Sequence, residues 1–361
     1  MKNQSSETAL DRQITRRRLL QGAAAATALA ALPVLAQNVL AQSEEPAADP
    51  LPDYAPVPPG ALGPALNAQG YFVGRVKRNL YWVTDGTYKA AFLTTRKGVV
   101  LFDAPPSIGH NLQRAIDEVA QANGVSNKVR YLVHSHDHAD HVGASSLFGK
   151  DVVRIGHEET QRLLLRDNDP ARPPIDETFS DKRRLEVGGE TVDLIWHGPN
   201  HTPGNIFIHF PEHDALMLVD IVNAGWVPVY VVNLSQDIPG YVDAPGISLT
   251  YPWKTLITGH LGRLGTREDV AIHQQYMADL DAAIRSALST TDPTPFFVKY
   301  GANNWAAVKG YLDAVSHAAA QPVIAKYTGV LAAADVFTES VAFWLMESIR
   351  LDLGLGLFVH P

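Results

Sequence analysis

Between residues 71 and 103 the chain runs in short apolar stretches separated by turn residues. Tyr71-Phe72-Val73, Leu80-Tyr81-Trp82-Val83, Ala91-Phe92-Leu93 and Gly98-Val99-Val100-Leu101-Phe102 are rich in β-branched and aromatic side chains, and this spacing predicts strands. Residues 110–121 then place Leu112, Ile116 and Val119 at helical spacing. Tyr131-Leu132-Val133 predicts a short buried strand, and strand–helix alternation resumes from Val152 to about Leu256. Such alternation implies a layered α/β body.

After Gly265 the period changes. Three amphipathic helices are predicted: one through Ile272, Tyr276, Leu280, Ile284 and Leu288, a second through Trp305, Val308, Leu312 and Val315, and a third through Phe337, Val341, Trp344 and Ile349. Their stripes are expected to pack as core against the α/β body. On a second reading they meet another copy of the chain in a homodimer or wall a substrate pocket. No sequence repeat is apparent.

The start of the chain reads differently. Thr15-Arg16-Arg17-Arg18-Leu19-Leu20-Gln21 precedes an alanine- and leucine-rich run to Ala36, with small residues at Ala36 and Ala41 suited to cleavage. This resembles a twin-arginine export signal over residues 1–41, which implies a periplasmic or otherwise exported protein with no stable membrane insertion after cleavage. Residues 43–64 hold seven prolines. Proline locks φ and removes backbone donors, so residues 42–65 read as an extended arm or a tether. The catalytic domain is expected over 66–265 and the helical C-terminal extension over 266–361.

Composition narrows the chemistry. The 361 residues are 46% hydrophobic and 19% charged, ample for a buried core. Beyond residue 41 the chain carries 25 Lys and Arg against 36 Asp and Glu, a balance of −11. That charge repels phosphate backbones and argues against a nucleic-acid partner; a small-molecule substrate is expected. There is no cysteine. Disulfides, thiolate ligands and cysteine nucleophiles are therefore excluded, and any metal must be held by His, Asp or Glu. Serine-nucleophile elbows are also absent.

One stretch concentrates such groups. His134-Ser135-His136-Asp137-His138-Ala139-Asp140-His141 follows a strand directly, with four imidazoles and two carboxylates in eight residues. Imidazole with carboxylate suits zinc, iron or manganese. Three later segments end apolar strands in ligand-type residues: His201 in a turn after Val192–Trp196, Asp220 after Leu216–Val219, and His260 after Leu256-Ile257. Strand tips of this kind converge on one edge of a sheet and place ligands there.

His136-x-His138-x-Asp140-His141, followed by His201, Asp220 and His260, resembles the metallo-β-lactamase-fold hydrolase superfamily over roughly residues 70–265. The resemblance implies a four-layer αββα sandwich with a metal pair at one edge of the two sheets, two Zn2+ by default, with Fe or Mn as alternatives. On it, His136, His138 and His201 bind the first metal, Asp140, His141 and His260 the second, and Asp220 bridges both. It also gives Asp140 a catalytic role in orienting the nucleophile or accepting its proton, and Asp103 a supporting role behind the metal loop. His134-x-His136 remains an alternative register. Asp137 is expected to be solvated or supporting. Trp226 and Tyr230, in an apolar loop after Asp220, are candidates for the pocket floor.

The implied activity is attack by a metal-bridging hydroxide on the carbonyl of a lactone, ester, thioester or amide. A β-lactamase in the strict sense is the alternative. Gly198-Pro199-Asn200-His201-Thr202 resembles a class B1 β-lactamase motif, but Gly204 stands where those enzymes often carry Asp, and Asp220 where they carry a cysteine ligand. An iron-dependent oxidoreductase on the same fold is the third reading.

Overall fold

The computed structural model describes residues 51–354. The twin-arginine signal and the first part of the proline-rich arm lie outside the described residues. Strands β1 (Phe72–Lys77), β2 (Leu80–Thr84), β3 (Lys89–Thr95) and β4 (Gly98–Phe102) run antiparallel to their neighbours. Helix α1 (Asn111–Asn123) then crosses to β5 (Val129–Val133), which lies parallel to β4. A short turn of helix, α2 (Ala139–Val142), separates β5 from β6 (Val153–His157), and α3 (Glu158–Asp167) leads to β7 (Glu177–Phe179). These seven strands form the first sheet in sequential order.

The second sheet contains β8 (Lys182–Val187), β9 (Glu190–Ile195), β10 (Phe207–Phe210) and β11 (Ala215–Met217), antiparallel in that order. Helix α4 (Ile238–Ser248) precedes β12 (Thr255–Ile257), which closes that sheet parallel to β11. Four helices follow: α5 (Arg267–Thr290), α6 (Thr294–Tyr300), α7 (Asn304–Tyr327) and α8 (Ala334–Leu351). Among the described residues, no helix is long and apolar enough to cross a membrane.

Side-chain alternation builds the layers. In β4, Val100 and Phe102 join Leu194, Ile208 and Met217 between the sheets, while Val99 and Leu101 face Leu112 and Ile116 of α1. In the second sheet, Met217 and Ile257 point inward, while Leu216 and Leu256 pack outward against Tyr276, Leu280 and Ile284 of α5. Successive strand residues face opposite sides, so a strand apolar on both faces needs cover on both. The C-terminal helices supply that cover and form the fourth layer.

Two sequence expectations are refined. The strand tips that carry candidate ligands belong to two sheets, as the family resemblance implied and the strand-tip pattern alone did not: β5 lies in the first sheet and β9, β11 and β12 in the second. In the second helical stripe Leu312 and Val315 are buried and Val308 packs against the core as expected, but Trp305 is 83% exposed in the first turn of α7, and Ala307, Tyr311 and Ala319 complete the buried face. The alanines on that face escape a count of large hydrophobics. From Asp53 onward the proline-rich arm belongs to the same compact unit as the sheets. The Ala55 amide donates to Asp335, the Trp226 indole N–H to the Ala61 carbonyl, and Arg263 Nε to the Gly60 carbonyl.

Candidate metal centre

The loop leaving β5 is held from both sides. The Asp103 amide donates to the Val133 carbonyl and the His134 amide to the Ile155 carbonyl, which prolongs the parallel ladder beyond the strand. The Ile206 amide then donates to the Ser135 carbonyl, tying this loop to the second sheet. Asp103 is wholly buried, and its Oδ1 accepts from the Ser135 amide at 2.8 Å. Burial lifts its carboxyl to about 6, against the opposing pull of His141 and Ser135. Asp103 thus ties the end of β4 to the loop that carries His136.

Seven side chains meet in two groups. His136, His138, His201 and Asp220 offer ligand atoms within 4.8 Å of one another, and so do Asp140, His141 and His260. Every residue named as a ligand from the sequence lies in one of the two groups. Asp220 touches both. Its Oδ2 stands 3.6 Å from His136 Nε2, 3.2 Å from His201 Nε2 and 3.0 Å from His141 Nε2, and its Oδ1 stands 3.1 Å from His260 Nε2. Asp140 lies on the open side, with its side chain 41% exposed and Oδ2 3.6 Å from both His141 Nε2 and His260 Nε2.

Electrostatics favour ligand protonation states at His136, His138 and Asp220, whereas His141 carries a proton that a cation would displace. Burial, then the neighbouring imidazoles, hold His136 and His138 below the usual histidine range, which keeps their lone pairs free. Burial alone would raise the Asp220 carboxyl, but His141, His260 and His201 outweigh it and hold it well below the usual range. His141 is lifted to about 9, because Asp220 overcomes the opposing effect of burial.

These residues fit a divalent cation. His136 Nε2 and Asp220 Oδ1 are buried polar atoms without a hydrogen-bond partner, which ordinarily costs free energy. His141 Nε2 faces His260 Nε2 at 3.0 Å, and His138 Nδ1 faces His201 Nε2 at 3.0 Å. Imidazole nitrogens and carboxylate oxygens converging in this way make a donor set for zinc, iron or manganese.

Residues around the groups hold them in place. The Asn200 Oδ1 accepts from the His201 amide at 2.7 Å and from Asn205 Nδ2 at 2.9 Å, while Asn205 Nδ2 also donates to the Val219 carbonyl. Asn233 Nδ2 donates to the Asp220 carbonyl at 3.1 Å from within a left-handed turn in which Val231, Val232, Asn233 and Leu234 all have positive φ. Tyr88 sets its ring 4.7 Å from that of His260. Lys89 is buried behind His260 with its ammonium among three oxygens; burial, then Arg263, draw it down to about 7. Sequence reasoning passed over Tyr88, Lys89 and Asn233. A lysine at the head of the apolar run Ala90–Leu93 was the signal for Lys89.

The other candidates lie outside the two ligand groups. His134 is buried against Ser145 Oγ at 3.1 Å and lies outside both groups, which removes the His134-x-His136 register. Asp137 is buried and so is not a solvated carboxylate; its backbone carbonyl accepts from Arg172. Trp226 is half-buried, with its indole N–H on the Ala61 carbonyl. Tyr230 is 60% exposed and packs edge-on against Phe337 at 4.8 Å.

A family model described as the metallo-beta-lactamase superfamily matches residues 83–286. The chain is 26% identical over 223 residues to the 2,4-dinitroanisole O-demethylase subunit alpha of Nocardioides sp. (strain JS1661), covering 60% of this chain and 66% of that protein. It is 27% identical over 162 residues to the metallo-beta-lactamase type 2 of Elizabethkingia meningoseptica, covering 42% and 63%. The chain thus spans slightly under two thirds of the length of these curated relatives. Among solved structures, a metallo-beta-lactamase from Pontibacter korlensis aligns with a TM-score of 0.48 at 17% identity, over 57% of this chain and 97% of that one.

Proposed function

Because the chain belongs to the metallo-beta-lactamase superfamily, we propose that it is a hydrolase holding two divalent cations, Zn2+ by default, and acting on a small carbonyl substrate: a lactone, ester, thioester or amide. His136, His138 and His201 would hold the first cation, and Asp140, His141 and His260 the second. The observation that carries this reading is Asp220, whose two oxygens lie within 3.2 Å of His201, His141 and His260, so that one carboxylate serves both groups. Bound cations would lower the pKa of a water from about 15.7 to roughly 7 and offer positive charge to a developing oxyanion.

The protein's own groups have separable tasks. Asp140 is the exposed carboxylate of the cluster, placed to orient a water and accept its proton. Asp103 and the Asn200–Asn205 pair hold the two histidine loops in register. Tyr88 supplies an aromatic wall beside His260. The first 41 residues support export of the protein by a twin-arginine route.

A β-lactam is the second substrate reading, favoured by the likeness to the Elizabethkingia enzyme. An iron centre with oxidative chemistry is the third. The relative named as an O-demethylase adds an activated aryl methyl ether to the substrates worth testing. The test is elemental analysis of the purified chain together with a panel of a lactone, a thioester, a nitrophenyl ester, a cephalosporin, 2,4-dinitroanisole and a phosphodiester, with and without EDTA. Two transition-metal ions per chain and chelator-sensitive turnover of a carbonyl substrate are expected. Metal-free protein indifferent to chelators, or turnover confined to the phosphodiester, overturns the proposal.

A further inference from the structure

Lys89 opens β3, where Ala90, Ala91, Phe92 and Leu93 are all buried. Its own side chain is equally buried. The ammonium donates to Thr258 Oγ1 at 2.8 Å, to the His260 carbonyl at 2.6 Å and to the Leu261 carbonyl. Three hydrogens thus meet three acceptors, and none of those acceptors is a carboxylate. The Lys89 amide also donates to the Gly259 carbonyl at 2.9 Å. One residue therefore grips all four positions from Thr258 to Leu261.

That turn needs gripping. Leu261 sits at φ +55°, a left-handed conformation that a leucine side chain disfavours. The turn carries His260, whose imidazole is the member of the second ligand group that arrives from β12. The first group is held differently, by the Asn200–Asn205 amides and by Asp103 on Ser135. An apolar residue would fill the Lys89 site without the cost of burying a charge.

We propose that Lys89 is a positioning residue dedicated to the second ligand group: its ammonium locks the Thr258–Leu261 turn and so aims His260 at the cation shared with Asp140 and His141. This rests on the two-cation reading above. Lys89 touches neither substrate nor cation; it acts through the backbone of the turn. Its effect therefore falls mainly on one of the two cations, the one His260 would hold.

The test is a titration of the chelator-stripped full chain with Zn2+ in competition with a chromophoric chelator, on the unaltered protein, Lys89→Met and Thr258→Val. Lys89→Met is expected to weaken the second equivalent about 10- to 100-fold, the range typical of groups that orient a ligand. The first equivalent stays within about twofold, since its supports are untouched. Thr258→Val removes one of the three acceptors and is expected to fall between; it serves as the deciding variant if Lys89→Met does not fold. Equal weakening of both equivalents, or no change in either, overturns the proposal. Unaltered protein that takes up fewer than two equivalents fails at the earlier step and overturns the two-cation reading itself.

Discussion

A β-carbon added at Gly259 would stand 2.5 Å from Oδ1 of Asp220, closer than real side-chain contacts allow. It would also meet Val219 Cγ1 at 2.6 Å and His141 Cε1 at 2.8 Å. Gly259 is therefore the position at which the second sheet lets the shared carboxylate lie between the two histidine groups. None of the three neighbours can retreat cheaply, because each is buried.

Gly259→Ala should consequently displace Asp220 rather than unfold the chain. Overpacking of this kind costs roughly 1–3 kcal/mol, which a folded domain tolerates. Metal affinity is expected to fall about 10- to 100-fold, as for other disturbances that misplace a ligand. Elemental analysis after dialysis, paired with a thermal melt, checks this. A Gly259→Ala protein with unaltered metal content would show that Asp220 need not hold this position.

Single ligand replacements should separate the two groups. His260→Ala removes a ligand from the group of Asp140 and His141, whereas His136→Ala removes one from the group of His138 and His201. Each variant is expected to retain about one equivalent of metal and to lose turnover at least about 100-fold, beyond the loss typical of supporting residues. Asp220→Ala, which touches both groups, should lose both equivalents. Metal counts by elemental analysis, alongside initial rates on whichever panel substrate is turned over, decide it. Full turnover in any of the three would remove these residues from the site.

Acid sensitivity should report on His273, which lies outside both ligand groups. The side chain is buried in α5 with Nε2 unpartnered, and burial pulls its pKa down to about 4. The folded value lies below the unfolded value of about 6.5, so the unfolded chain binds the proton more tightly. Stability is therefore present above pH 6.5 and is lost as pH falls toward 4, by on the order of 3 kcal/mol. His273→Leu should flatten this part of the Tm-against-pH curve relative to the unaltered protein. Parallel curves between pH 6.5 and 4 would refute the assignment.

Much of the architecture is local information. The runs around Leu80, Phe92, Leu101 and Leu132 are strands because β-branched and aromatic residues alternate there, and all four lie in the first sheet. Leu112, Ile116 and Val119 mark a helix one residue removed from its expected start. The ligand types stand at strand ends, so their chemistry and their approximate placement were both readable. The half-exposed Trp344 and the exposed Trp305 were not, because exposure depends on which helix lies opposite, not on the period of the stripe.

The order of residues alone thus determined which side chains could hold a cation and that they would emerge at strand tips, since both follow from residue type and short-range periodicity. Only the tertiary structure decided that Lys89 lies buried under a turn 169 residues away and that Gly259 must lack a side chain, and it alone turns the two facing sheets and the shared Asp220, which the family resemblance implied, into distances. Those facts depend on contacts between segments distant in the chain, and no local pattern encodes the distance between two atoms that meet only after folding.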